Sequence, residues 1–325
     1  MVHQLWRQFP TINLKLIALQ KYLLSVVSLP VKPIEKKVSD LINSGGKFLR
    51  PGFFYIISEF GEPTDKKVLR SGAAAMEILH VATLIHDDVI DDSELRRGVK
   101  TIHTEYGQRN AIYAGDYLFT CYFNEILKST TEPQNLQYQV DVMQRILSGE
   151  LEQMQLRYNL EETVDQYIEE ITGKTAKLFE LSFKQAAILT HCSADLTTKV
   201  AKIGLTIGQA YQILDDVLDY DGNTVNTKKP ILEDLKSGTY TLPLLCSLPK
   251  QKQELSMLLT KKSAMTSSDM VAVAQIVKQC GGLNDAKITA QKLTNDALGL
   301  IDELPDIKAK KQLKSLTSQL LVRNQ

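Results

Sequence analysis

The chain has 325 residues, of which 43 % are hydrophobic, 23 % charged and 7 % aromatic, and its 38 Lys and Arg balance 38 Asp and Glu. That composition excludes a disordered chain, a collagen and a small disulfide scaffold. The zero formal net charge lacks the basic excess of a nucleic-acid binder and the charge that draws a protein strongly to an anionic membrane, so no nucleic-acid partner and at most peripheral membrane contact are expected.

Helix-period signals dominate from end to end. The N-terminal segment MVHQLWRQFP has no basic stretch leading into an apolar one, so no signal peptide is expected. The apolar-looking stretch from Leu14 to Val31 is interrupted by Lys15, Gln20 and Lys21 and reads as an amphipathic helix, not a membrane span. Glycine and proline cluster at breaks: Gly45-Gly46, Gly61-Glu62-Pro63, Thr131-Glu132-Pro133, Asp221-Gly222-Asn223 and Gly281-Gly282. Between them, apolar residues three and four apart predict helices over 11–28, 34–43, 50–60, 66–91, 108–129, 134–158, 163–190, 195–220, 239–247, 251–260, 268–280, 283–303 and 307–321. No series of alternating strands is visible. Several helices are apolar on more than one face, as central helices of a large bundle are. The expected fold is therefore all-α.

Two acidic runs carry the chemistry. Asp87 and Asp91, in Ile85-His86-Asp87-Asp88-Val89-Ile90-Asp91-Asp92, are four apart and share one helix face. Asp215 and Asp219, in Leu214-Asp215-Asp216-Val217-Leu218-Asp219, repeat the spacing. Acids at the C-terminal end of an apolar helix oppose its dipole and repel each other, which is acceptable when divalent cations fill the gap. Hard oxygen ligands without a His or Cys cluster favour Mg²⁺ with phosphate oxygens over Zn²⁺. If the two runs act together, the halves cannot be independent domains, so one domain over 1–325 is expected despite a length prior of about two domains.

Basic residues follow the same logic. Lys47 and Arg50 follow a glycine pair in GGKFLRP, Arg96 and Arg97 follow the first acidic run, Gly173-Lys174-Thr175 adds a cation and a hydroxyl, and Lys228, Lys229 and Lys236 follow the second run. Arginine forks onto phosphate oxygens while lysine adds a point charge. Gly173-Lys174-Thr175 is not a Walker loop, because Ile168 stands where its first glycine belongs and no strand precedes it. An HD-type phosphohydrolase built on His86-Asp87 would leave the second acidic run unexplained.

In order, GGKFLRP, LIHDDVIDDSELRRG, GKT and GQAYQILDDVLDY resemble the motif segments of the trans-isoprenyl (all-E polyprenyl) diphosphate synthases, closest to the large catalytic subunit of bacterial heptaprenyl and hexaprenyl diphosphate synthases. The resemblance implies a helical bundle with a deep central cavity, normally dimeric, that joins isopentenyl diphosphate to an allylic diphosphate. It implies that Asp87, Asp88, Asp91, Asp215, Asp216 and Asp219 bind two or three Mg²⁺ ions, with Asp87, Asp91 and Asp215 as direct ligands. It places Lys47, Arg50, His80 and Arg97 at the isopentenyl diphosphate, and Arg96, Lys174, Thr175, Gln212 and Lys229 at the allylic diphosphate. Asp87, Asp88, Asp91, Arg96, Lys174 and Asp215 would then promote ionisation. Two departures stand out: Thr239 occupies a slot where many relatives have lysine, which Lys236 could fill, and Leu232 replaces a glycine. The resemblance allows a homodimer or a heterodimer with a motif-poor small subunit. A terpene cyclase, which binds a single diphosphate, leaves the Gly46-Lys47-Arg50 site unused. An inactive subunit would not need intact aspartates.

Cys121, Cys192, Cys246 and Cys280 form no CxxC and read as free thiols, so a cytoplasmic location is expected. Thr83 and Ala82, four and five residues before Asp87, lie about one helical turn below it on the path of a growing tail. Both are small, so a medium or long product of about C30–C40 is expected over a shorter farnesyl or geranylgeranyl one, with Met76, Ile78, Leu79, Leu151 or Met154 as a deeper floor, and the resemblance implies a quinone side-chain precursor. Replacing Ala82 by Phe should shorten the product, read by chromatography after dephosphorylation; unchanged length would remove this helix as the tail path.

Overall fold

The computed structural model describes residues 2–44, 46–221 and 232–321. In chain order, a 3-10 turn (Gln4–Gln8) leads to α1 (Pro10–Val26), α2 (Lys32–Asn43), α3 (Leu49–Ile57) and α4 (Lys66–Ile90). A short antiparallel hairpin, β1 (Leu95–Arg96) and β2 (Val99–Lys100), precedes α5 (Ile102–Tyr106), α6 (Gln108–Ser129), α7 (Pro133–Leu156) and α8 (Val164–Ile171). A π-turn (Thr172–Ala176) follows, then α9 (Lys177–Leu189), α10 (Ala194–Asp221), α11 (Glu233–Ser237), α12 (Leu242–Ser247) and α13 (Lys252–Leu259). A 3-10 turn (Lys262–Ala264), α14 (Ser267–Gln279), α15 (Gly282–Asp302) and α16 (Lys308–Leu321) complete the described residues. The all-α expectation holds, with the hairpin as the one sheet among them.

The chain divides into two compact units. The first comprises Met1–Val140, Leu181–Ala201 and Pro305–Leu313. Its centre is α4, which packs along α6 and against α1 and α3. An alanine-rich stretch lets neighbours approach α4 from several sides: Ala73, Ala74, Ala75, Met76, Ile78, Leu79, Val81, Ala82 and Ile85 are all buried. The helix begins at Asp65, whose side chain accepts from Lys67 N at 2.7 Å. By length and composition α4 could cross a membrane, yet most of its apolar window is buried inside the fold. In α1, Ile12, Leu16, Leu19 and Leu23 form the buried stripe that the helical period requires. Phe53 and Phe183 meet with ring centroids 5.1 Å apart.

The second unit comprises Asp141–Glu180, Lys202–Leu304 and Lys314–Gln325. Here α12 packs on α15, with α8 and α14 beside it. Reciprocal capping boxes start α8 (Thr163 with Gln166) and α14 (Thr266 with Asp269). Gly208 of α10 lies on the π-turn: a Cβ there would stand 2.6 Å from Ala176 Cα.

Most predicted helices appear with ends shifted by one to three residues. One does not: the span 163–190 is broken by the π-turn into α8 and α9. The apolar period runs through Ile171, Ala176 and Phe179, so periodicity alone could not reveal the break. The predicted helix 239–247 starts only at Leu242, because Pro243 suits a first turn. The hairpin, α5 and α11 were too short to give a period.

Gly208→Ala should lower stability by about 1–3 kcal/mol in urea denaturation, because backbone has to move to admit the methyl group. An unchanged midpoint would show that α10 and the π-turn are not in close contact.

Candidate active site

In the first unit, the last turn of α4 carries the first acidic run. Asp87 is part-exposed, Asp91 exposed and Asp88 buried. A helix turns about 100° per residue, so Asp88 leaves the face that Asp87 and Asp91 share. Its Oδ1 accepts from Arg96 Nε at 2.7 Å and Nη2 at 2.6 Å. Burial raises the Asp88 carboxyl above the usual range and outweighs the Arg96 charge that opposes the shift.

The hairpin exists to place these arginines. Its two-residue turn is Arg97-Gly98, both at positive φ (54° and 78°), the geometry that matches strand twist. Ser93 N donates to Asp88 O at 2.9 Å, and Thr101 Oγ1 to Ser93 O at 2.9 Å, tying the hairpin to α4. Arg97 Nη1 donates to Leu41 O at 3.1 Å, and its guanidinium lies against Gly46, where a Cβ would stand 2.9 Å from Nη1. Gly46 and Arg97, distant in sequence, therefore meet.

His80, two turns before Asp87, sits among these cations: burial, then Arg50, Arg97 and Arg96, hold its imidazole well below its ordinary value and neutral. Glu77 is 4 % exposed one turn earlier. Burial raises its carboxyl, while Arg50 and Arg97 pull it down. Sequence reasoning missed Glu77; its signal was an acid at a core position of α4, three residues from His80. Ala82 is buried and Thr83 half-buried, its Oγ1 bonded to His80 O.

The second unit builds a parallel arrangement. On α10, Asp215 is exposed, Asp219 part-exposed and Asp216 3 % exposed. Asp216 accepts from Tyr167 Oη at 2.5 Å and from Gln212 Nε2 at 2.8 Å, while Gln212 Oε1 accepts from Thr175 Oγ1 at 2.8 Å. Burial, then the Asp234 charge, pushes the Asp216 carboxyl well up. Asp219 Oδ1 accepts from Leu232 N at 3.1 Å. Lys174 in the π-turn donates to Gln153 Oε1 at 2.8 Å and pairs with Glu150 at 3.1 Å. Gly149 makes this approach possible, since a Cβ there would lie 3.0 Å from Lys174 N. Tyr167, Glu150 and Gln153 carry no motif that sequence reasoning could use. Lys228 and Lys229 lie outside the described residues. Lys236 is exposed and Thr239 part-buried. Leu151 and Met154, offered as a floor, are 62 % and 46 % exposed and line no core.

The donor set suits a hard divalent cation. Asp87 with Asp91, and Asp215 with Asp219, present carboxylates on one helix face each, although no group of three or more acidic, His or Cys ligands is preassembled among the described residues. The inner aspartates are engaged with protein donors.

Each unit thus carries a helix with paired aspartates and a buried, anchored inner one, in a protein of the all-α class. A family model described as polyprenyl synthetase matches residues 31–280. Heptaprenyl diphosphate synthase component 2 of Geobacillus stearothermophilus is 30 % identical over 301 residues, 93 % of each chain. A crystal structure of geranylgeranyl pyrophosphate synthase from Lactobacillus brevis superposes with a TM-score of 0.95 at 53 % identity, covering 98 % of this chain and 99 % of that one. A Caulobacter crescentus polyprenyl synthase, solved with calcium and isoprenyl diphosphate, has a TM-score of 0.90 at 26 % identity over 100 % of this chain and 99 % of its own. The chain belongs to the polyprenyl synthetase family. It is a trans-prenyl diphosphate synthase, a transferase of prenyl groups.

Beside this site, Glu162 and Glu170 are buried neighbours, raised to about 8 and about 7, first by burial. Glu162 Oε1 accepts no hydrogen bond among the described residues. A glutamate that ionises near 4.5 when unfolded and about 8 when folded keeps a proton that the unfolded chain has released. Its contribution is fully present below about pH 4.5 and is lost as pH rises towards about 8. Glu162→Gln is neutral throughout, so its stability relative to the native chain should increase from about pH 5 to about pH 8 in urea denaturation. Parallel stability curves would show that Glu162 ionises as in water.

Proposed function

We propose that this chain condenses isopentenyl diphosphate, head to tail, with an allylic diphosphate, giving an all-trans polyprenyl diphosphate of about C30–C40 for a quinone side chain, the length argued from the small residues one turn below Asp87. One observation carries the reading: each aspartate turn has its inner carboxylate anchored on protein donors, Asp88 on Arg96 and Asp216 on Tyr167 and on Gln212, which also binds Thr175. The two units work as one domain.

Asp87, Asp91 and Asp215, with Asp219, would hold Mg²⁺, and the calcium in the Caulobacter relative supports a divalent cation. Bound there, the metal supplies charge neutralisation to the departing diphosphate. Arg96, Lys174, Thr175, Gln212 and Lys229 bind the allylic diphosphate; Arg96 and Lys174 meet negative charge as the C–O bond breaks. Lys47, Arg50, Arg97 and neutral His80 hold isopentenyl diphosphate, whose double bond attacks the allylic cation. The departed diphosphate takes the proton that is then lost. No side chain acts as nucleophile or general base. Ala82 and buried Ile78 and Leu79 exclude water along the tail path.

A geranylgeranyl product is a second reading, favoured by the name of the 53 % identical relative. Exposed Tyr113, Tyr117 and Leu127 on α6 support self-association. The relative named component 2 supports a small partner subunit instead. The free thiols support a reducing cytoplasm.

The test incubates the purified chain with labelled isopentenyl diphosphate, Mg²⁺ and each C5 to C20 allylic diphosphate, followed by chromatography of the dephosphorylated products. Turnover to about C30–C40 is expected; arrest at C20 would establish the second reading. Asp87→Asn and Asp215→Asn should each lower kcat by about 10²–10³. No turnover with any primer, with or without a partner subunit, would overturn the reading.

A further inference from the structure

We infer that Trp6, far in sequence from both acidic motifs, is a positioning residue for the diphosphate-binding loop of Lys47: its indole N–H holds the peptide on which the Lys47 side chain is mounted. The inference rests on the proposed role of Lys47 at isopentenyl diphosphate.

Trp6 is fully buried in the 3-10 turn Gln4–Gln8, which His3 caps by accepting Leu5 N at 3.2 Å. A buried indole N–H requires an acceptor. It finds Lys47 O, at 2.6 Å and 41 residues away. The ring itself packs against the first turn of α3. A Cβ at Gly52 would stand 2.0 Å from ring atom Cη2 and 2.2 Å from Cζ2, so only glycine admits it. Trp6 therefore grips α3 through its ring and the preceding loop through its nitrogen.

The bonded carbonyl belongs to the peptide between Lys47 and Phe48. Phe48 has φ +50°, a left-handed conformation that a residue with a Cβ adopts only when its surroundings impose it. Fixing that peptide plane fixes both the Phe48 φ and the direction in which Lys47 leaves the backbone. On the other side, the Arg97 guanidinium rests on Gly46. The loop is thus held between an indole and an arginine, with the exposed Lys47 side chain between them. The Lys47 charge also reaches His3, where it adds to burial in lowering the imidazole. The first nine residues, which carry none of the motif segments, thereby set how well one of the two diphosphates is held.

The test compares Trp6→Phe, which keeps the ring and removes the N–H, with the native chain. Losing one hydrogen bond that preorganises the loop should raise the KM for isopentenyl diphosphate about two- to tenfold. The kcat at saturation and the KM for the allylic diphosphate should stay within about twofold. Equal changes in both KM values, or none, would overturn the inference. Gly52→Ala attacks the same contact from α3 and keeps the test decisive if Trp6→Phe does not fold. Trp6 is the only tryptophan, so its emission reports whether the ring has moved. A red-shifted ring with unchanged isopentenyl diphosphate affinity in equilibrium dialysis would also refute the proposal. Lys47→Ala separates the two failures: if it leaves isopentenyl diphosphate binding intact, the proposed site is wrong, whereas if it abolishes binding and Trp6→Phe does not weaken it, only the role of Trp6 is wrong.

Discussion

Both acidic turns depend on an inner carboxylate that points into the protein. Three acids at the C-terminal end of a helix face the negative end of its dipole and one another. A run of three outward aspartates would disperse into solvent or fray the turn. Asp88 and Asp216 prevent this by accepting hydrogen bonds from donors that the fold brings to them, Arg96 in one case and Tyr167 with Gln212 in the other. Each anchor has a second consequence. The Arg96 pair docks the hairpin that carries Arg97, and the Gln212 bond extends to Thr175, the neighbour of Lys174. Each anchor thus ties its aspartate turn to the segment that carries a cation, the hairpin with Arg97 in one unit and the turn with Lys174 in the other.

The two anchors differ in chemistry. Asp88 uses a charged fork, which keeps an ionised carboxylate at tolerable cost in a buried place. Asp216 uses a phenol and an amide and lies near Asp234, so its carboxyl is driven upward by burial and by that second acid. Tyr167 is pushed above its ordinary value for matching reasons: burial first, then the Asp216 charge and hydrogen bond. It therefore stays a hydroxyl and a donor, the role that the aspartate needs.

The motifs were legible because they are local. Asp87 with Asp91, and Asp215 with Asp219, are read from spacing alone, and the buried stripes of α1 and α4 follow from their period. What lay hidden depends on long-range contacts. The π-turn at Thr172–Ala176 interrupts a sequence whose apolar period is unbroken, and Gly149 and Gly208 pass close against it. Glu77 looks like one more surface acid until α4 is seen buried around most of its circumference, with Arg50 and Arg97 nearby. Trp6 precedes every motif, and nothing local connects it to Lys47.

The cation cluster shows what this architecture trades. Arg50, Arg96 and Arg97 act on one imidazole, and His80 answers by staying neutral, since another positive charge would add to their repulsion. Glu77 sits in the same field: burial opposes its ionisation, while Arg50 and Arg97 favour it. A diphosphate at the proposed site would offset these like charges, and a ligand held only by the folded chain would add to its stability. Anchoring from Leu41 O, Gly46 and the hairpin turn keeps Arg97 in place meanwhile, which spares the ligand the entropy of gathering the site.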